Sequence, residues 1–552
     1  MTTAPAPRSR PRWQLPAALL GMLLVVVLAF DIARRERTVT TAPAPAPTAT
    51  ADVFTAIPAD TLPIAWRSWS EDSFAAARTR GVPVVALLTA SWCESCILYE
   101  GALARRADVR THLERDVVAV RADIDRRPDV NARYRDDRYA LPTWIFLAPT
   151  GEVWDIADAP RPEALARLLD ELVASPRAAR RDPGLQALLP PPRPPSPHLD
   201  EHPARIQADL VAAWPQPNLA LEATTPLLDG EALGFLVARA RAGDVAARTF
   251  FLDGMRRVAA LTDASCDCIE QEFEPVPGRV QRARFLDTHA MLLDHFATAW
   301  EMTHDSTFAR AADGIARWTQ ATLFDTQAGL FRAAQGTLVM HEGRPAVTSA
   351  ERAGVAGHAG ALEPHAPDVY PTPGNARFAA ALLHWGTLRG DGAATARAHN
   401  VLAQLQRAAN PLPPHDWTRE GERTAAPRHA FLRDGAELGL ALLATDDEGL
   451  AAASRLANAM LEQFGAPNGG FADVTDSSRA PERMRVRMTP LADNARAAQF
   501  LIALSAASGE VRYAAAARRA LEAWSLAVRS ESPWPAAAFG AAVIALATTP
   551  RT

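Results

Sequence analysis

The residues best suited to chemistry are four cysteines in two close pairs, Cys93/Cys96 and Cys266/Cys268. So few thiols in a chain of 552 residues point to redox or metal work rather than a disulfide framework. The first pair, in SWCESC, follows the charge-free run Val82–Ala90, which reads as a buried strand. The stretch after it, ILYEGALARRADVRTHL, reads as an amphipathic helix. In that context the spacing has a mechanism. The first sulfur stands at a helix N-terminus, where unpaired N–H groups and the macrodipole favour a thiolate. Two intervening residues let the second thiol reach back and resolve a mixed disulfide. Cys93 is therefore expected as the attacking thiolate and Cys96 as the resolving thiol. The competing reading is half of a zinc site, which needs two further ligands. Only Cys266 and Cys268 could supply them, from a remote Cys-x-Cys, so neither a metal nor another cofactor is expected.

The elements around the pair fit one fold. Phe74–Arg80 reads as a helix, DVVAVRADID as a strand, and YALPTWIFLAPTGEVWD as strand, turn, strand. Pro142 stands just before the apolar run Trp144–Leu147, where thioredoxin-fold proteins place a cis-proline beside the cysteines. An α/β thioredoxin-like domain is expected over residues 61–180. It lies between a Pro/Ala/Thr-rich tether (34–60) and a proline-rich linker (181–203), whose LLPPPRPPSP excludes helix and central strand. Before the tether, Leu15–Phe30 is a charge-free apolar run preceded by Arg8, Arg10 and Arg12. No small-x-small cleavage site follows it. The expectation is an uncleaved transmembrane anchor over 15–33, with residues 1–14 cytoplasmic and the bulk of the chain extracytoplasmic.

WRSWSEDSF (66–74), SWCESC (91–96), VVAVRADIDRRPDVNARY (117–134) and PTWIFLAPTGE (142–152) together resemble the spermatogenesis-associated thioredoxin-like family. The resemblance implies an N-terminal thioredoxin-like domain joined to an α/α six-hairpin toroid of the glycosidase and sugar-epimerase type, here over residues 204–552. Two departures stand out. Glu94 and Ser95 lie between the cysteines, where family members carry aromatic and histidine residues. The family's glycine-rich aromatic stretches early in the helical domain are replaced by RRVAALTDASCDCIEQEF (256–273).

Beyond residue 203 the apolar residues recur with helical periodicity, and weak internal repeats are visible. PTPGNARFAAALLHWGTLRGD (371–391) returns as PLADNARAAQFLIALSAASGE (490–510), and LFDTQAGLF (323–331) as QFGAPNGGF (463–471). Such units bury their apolar faces only by stacking. Asp287, His289, Asp294, His295, Glu301, Asp434 and Glu437 lie near hairpin starts and are the candidates for a toroid cavity; the alternative is that they are caps and solvated faces. Trp300, Trp318, Trp385 and Trp524 could stack on sugar rings, but their spacing with Leu and Ala favours core packing. Cys266 and Cys268 are a candidate redox relay to Cys93/Cys96, the alternative being a local disulfide.

The chain has no lysine, so its 58 basic residues are all arginine and lysine Schiff-base chemistry is excluded. A net charge of −5 gives no reason to expect nucleic acid as a partner. The expected function is thiol–disulfide oxidoreduction on protein disulfides or dithiols, with the toroid recruiting substrate. The alternative is a glycan- or protein-binding toroid with an auxiliary cysteine pair.

Overall fold

A computed structural model describes residues 64–135, 140–174, 195–214, 230–262, 266–273, 281–336, 340–341, 344–345, 366–417, 430–475 and 482–549. The expected anchor, its tether and most of the proline-rich linker lie outside these residues. Among the described residues no helix is long and apolar enough to cross a membrane.

The first part is an α/β domain built on a five-stranded sheet of order β1-β3-β2-β4-β5. Its strands are β1 (Arg67–Ser68), β2 (Val84–Thr89), β3 (Val118–Asp123), β4 (Thr143–Leu147) and β5 (Val153–Asp158). β2 runs parallel to β3 and antiparallel to β4. Its central place explains why VVALLT carries no charge: every residue is buried. Helix α1 (Glu71–Arg80) begins at Ser70, whose side chain caps Ser73 N–H, and ends at Gly81 in the left-handed region (φ 66°). The single helix expected after the cysteines is instead two, α2 (Glu94–Ala104) and α3 (Ala107–Arg115), broken at Arg105–Arg106. Short α4 (Pro128–Tyr134) follows β3, and α5 (Pro162–Ala174) closes the domain.

The second part is a closed double ring of helices. The inner helices are α7 (Glu231–Arg241), α9 (Leu286–Thr303), α11 (Thr372–Arg389), α13 (Leu432–Leu442), α15 (Leu491–Ser508) and α17 (Pro533–Thr548). They alternate along the chain with the outer helices α6 (His202–Ala213), α8 (Val245–Ala260), α10 (Ser306–Thr322), α12 (Gly392–Ala408), α14 (Asp447–Gln463) and α16 (Val511–Trp524). From α9 onward each inner helix packs on the next, and α17 returns to α7; α7 meets α9 more narrowly, where Gly234 lies against the His295 ring. That closure depends on a close approach: a Cβ on Gly540 of α17 would lie 2.7 Å from the Phe235 ring of α7. On the other side of α7, His295 Nε2 of α9 donates to the carbonyl of Gly230 (2.9 Å).

The repeats correspond hydrogen bond for hydrogen bond. Asn375 accepts from Phe331 N–H (2.7 Å) and donates to the Phe331 and Pro371 carbonyls; Asn494 does the same with Phe471 and Pro490. Each asparagine pins the incoming Gly-Phe link to the first turn of an inner helix. The all-helical expectation needs one correction. Besides the two-stranded pairs of β8 (Phe324–Asp325) with β9 (Leu330–Phe331) and of β11 (Met340–His341) with β12 (Arg344–Pro345), a three-stranded sheet of order β10-β7-β6 stands on the ring, formed by β6 (Gln271–Phe273), β7 (Gln281–Phe285) and β10 (Ala334–Gly336). Its strands are too short for their alternation to stand out in sequence.

Candidate functional site

Cys93 is the N-cap of α2, and its Sγ accepts from Cys96 N–H at 3.2 Å. The two cysteines are joined as a disulfide. The Leu141–Pro142 peptide bond is cis, and Ser95 Oγ, 3.3 Å from Cys93 Sγ, donates to the Leu141 carbonyl at 3.2 Å. The sulfur thus sits where helix N–H groups can hold a thiolate once the pair is reduced. Access is another matter. Cys93 is 1% exposed and Cys96 fully buried, in a cluster shared with Ala283, Ala334 and Met484 of the ring region.

The thioredoxin-like domain sits over the N-terminal ends of the inner helices α9, α11, α13 and α15. The segment that makes the contact is DIDRRPDVNARY. Arg126 pairs with Asp416 (3.4 Å) and donates to the Asp368 carbonyl. Arg133, buried, pairs with Asp473 (2.8 Å) and donates to the Val486 carbonyl. Trp92, next to Cys93, meets Phe285 edge-on at 4.9 Å and donates its indole N–H to Asp125 Oδ2 at 2.8 Å. Burial, reinforced by the neighbouring Asp123 charge, pushes the Asp125 carboxyl up to about 7.

His415 joins the two domains. Its Nδ1 faces Asp434 Oδ1 and its Nε2 the Asp125 carbonyl, each at 2.8 Å. Both partners are acceptors, so both ring nitrogens carry protons. Burial alone would lower its pKa, but the Asp434 carboxylate and these hydrogen bonds raise it to about 9. Asp434, expected in the toroid cavity, therefore belongs to the domain interface.

Inside the ring lies a cavity of about 470 Å³, whose polar lining includes Glu231, Arg241, Asp294, Arg377, His384 and Glu437. Of the seven expected cavity residues Asp294, His295 and Glu437 line it, whereas Asp287, His289, Glu301 and Asp434 do not. Glu437 is buried among three arginines: it pairs with Arg377, with Arg496 at 2.7 Å and with Arg433 at 3.0 Å. Burial would raise its pKa, but the three guanidinium charges hold it well below the usual carboxylate range. Asp287 is half exposed and pairs with Arg377 at 3.2 Å.

His289 is fully buried outside the cavity, stacked on Trp318. Its Nδ1 donates to the Phe285 carbonyl (2.7 Å), and its Nε2 accepts from Ile269 N–H (3.1 Å). Four residues after Phe285, it does the work that Asn375 does four residues after Pro371. Burial lowers it to about 4, so it is neutral.

None of Trp300, Trp318, Trp385 and Trp524 lines the cavity. Trp385 donates its indole N–H to Asp313 (3.0 Å) and packs edge-on against Trp300. Cys266 and Cys268 form a second disulfide. Cys268 is buried in the ring's own core, a different cluster from that of Cys93 and Cys96. Sequence reading missed Arg126, Arg133, His415 and Asp125. The signal for the first two was the run DRRPDVNARY itself, dense in charge for a short helix; nothing local marks His415.

Comparison with known proteins gives a match of residues 65–149 to a thioredoxin-like family model. Comparison with curated protein sequences gives no match. Among solved structures the chain is similar to cellobiose 2-epimerase from Spirochaeta thermophila DSM 6192, with 14% identity over 50% of this chain and 66% of that one, TM-score 0.37. It is also similar to cellobiose 2-epimerase from Bacillus thermoamylovorans B4167, with 8% identity over 55% and 76%, TM-score 0.42. For an unsaturated glucuronyl hydrolase specific for heparin the values are 12% identity over 63% and 96%, TM-score 0.43. The chain thus carries a thioredoxin-like domain, followed by a mostly helical ring.

Proposed function

We propose that this protein is a thiol–disulfide oxidoreductase acting on protein disulfides or dithiols, held outside the cytoplasm by an N-terminal anchor. The observation that carries the reading is Cys93 at the N-cap of α2, its sulfur on Cys96 N–H and its neighbour Ser95 on the Leu141 carbonyl. In the reducing direction the Cys93 thiolate attacks a substrate disulfide and expels one substrate thiolate. Cys96 then attacks Cys93 Sγ and releases the other, so two electrons pass to the substrate as the pair is oxidised. The test is the reduction potential of the Cys93–Cys96 pair, read by alkylation in glutathione or dithiothreitol buffers. A reversible two-electron couple between roughly −120 and −270 mV is expected. A pair that never equilibrates with either buffer would remove exchange as the function.

A second reading, a ligand-binding ring with an auxiliary cysteine pair, is favoured by the cavity of about 470 Å³. Its chemistry speaks for binding rather than glycoside hydrolysis. Hydrolysis calls for two carboxylates, one of them able to donate a proton, whereas Glu437 is locked ionised among arginines.

A further inference from the structure

The geometry points to a built-in gate on the redox pair. The sheet β6–β7–β10 and Met484 cover the face through which a partner sulfur would reach Cys93, so exchange requires the thioredoxin-like domain to part from the ring there. The inference rests on the exchange reading and concerns its regulation. A thiolate must touch one of the two disulfide sulfurs to react with it, and neither is accessible: Cys93 is 1% exposed and Cys96 fully buried.

The cover comes from residues far downstream in the chain. Ala283 of β7, Ala334 of β10 and Met484 are buried in the same cluster as the two sulfurs, with Phe285 packed against it. Gly336 at the end of β10 fixes how close the cover comes. A Cβ there would lie 2.5 Å from the Trp92 carbonyl oxygen, a backbone atom one residue before Cys93. Only glycine allows the strand to lie this close.

The means of parting is also visible. The buried apolar residues that the ring adds to this cluster are few and mostly small. Apart from the edge-on contact of Trp92 with Phe285, the remaining ties across the face include polar ones: Arg126 to Asp416, Arg133 to Asp473, and His415 to the Asp125 carbonyl. An interface of this kind resembles transient contacts between domains more than a shared core. Water can take over its hydrogen bonds when it opens, at a cost a binding partner could offset. The fitting partner is a protein that competes for the sheet-covered face and presents its own disulfide or dithiol there.

The test compares rates. Oxidised full-length protein is treated with dithiothreitol, whose two thiols are oxidised as the pair is reduced. Thiols are trapped by alkylation at intervals, and the peptides carrying Cys93/Cys96 and Cys266/Cys268 are quantified separately by mass spectrometry. Two variants loosen the cover by different means: Gly336→Val pushes β10 off the Trp92 carbonyl, and Arg126→Gln cuts a rim tie. Both should speed reduction of Cys93–Cys96 at least tenfold, with no comparable change at Cys266–Cys268, which global unfolding would expose as well. Equal rates at Cys93–Cys96 in wild type and both variants would overturn the gate while leaving a measured reversible couple, and so the exchange reading, intact. Faster reduction of both disulfides together would also overturn it, by showing unfolding rather than opening. An absent couple at equilibrium would count against exchange alone, since the rates still report the cover.

Discussion

Two buried histidines show how completely partners decide charge at the residue scale. His289 has one donor and one acceptor facing it and must be neutral; His415 has two acceptors and must be an imidazolium. The second case has a measurable consequence. With a folded pKa of about 9 against an ordinary value of 6.5, His415 binds its proton more tightly in the folded protein. Its contribution is therefore complete below about pH 6.5 and is lost as the pH rises through 9, worth up to about 3 kcal/mol. Asp125, also raised, acts in the same direction from its ordinary range up to about 7. Urea unfolding should show stability falling between pH 6.5 and 9, and His415→Gln should flatten most of that fall. A variant that loses stability over this range in parallel with the wild type would sink the assignment.

At the scale of elements the recurring device is a side chain four residues into an inner helix that clamps the preceding link. Asn375, Asn494 and His289 each satisfy a buried backbone N–H and a backbone carbonyl at the helix start. Removing such a group orphans buried backbone polar atoms, at about 1–3 kcal/mol for each group left unsatisfied. Asn375→Ala should therefore cost about 2–4 kcal/mol in denaturant unfolding. His289→Asn should cost less than His289→Ala, because asparagine fills the same role in the other repeats; the reverse order would refute the equivalence. The asparagine pair was legible in the sequence, since PTPGNAR and PLADNAR align without gaps. The histidine was not, because its chemical type suggested a cavity and its clamp role shows only when Ile269 folds back onto it. The strand before the cysteines, the cysteine pair at a helix start and the strand–turn–strand after Pro142 were all legible from local pattern. The docking of one domain on the other was not. It depends on pairs such as Arg133 with Asp473, more than three hundred residues apart, which no local periodicity can report.

At the scale of the whole molecule, one carboxylate binds three inner helices. Glu437 of α13 receives Arg377 from α11, Arg496 from α15 and Arg433 from its own helix. Arg377 carries the network on to Asp287 of α9, and Arg433 to Glu231 of α7. The charges of five inner helices thus meet at the end of the ring on which the thioredoxin-like domain sits. A charge network buried to this degree adds little net stability over a well-packed apolar alternative, yet removing one member is costly because the others stay buried without compensation. Glu437→Gln keeps the shape and removes the charge, taking from Arg496 the carboxylate it pairs with and leaving Arg377 and Arg433 to Asp287 and Glu231. It should destabilise the ring by roughly 3–5 kcal/mol, read as a lower denaturant midpoint in full-length protein. The double variant Glu437→Gln/Arg496→Gln should recover part of the loss, since it also removes the stranded cation. A single variant as stable as the wild type would mean that water, not Glu437, balances the arginines. The lumen would then be an open polar channel rather than a pinned hub.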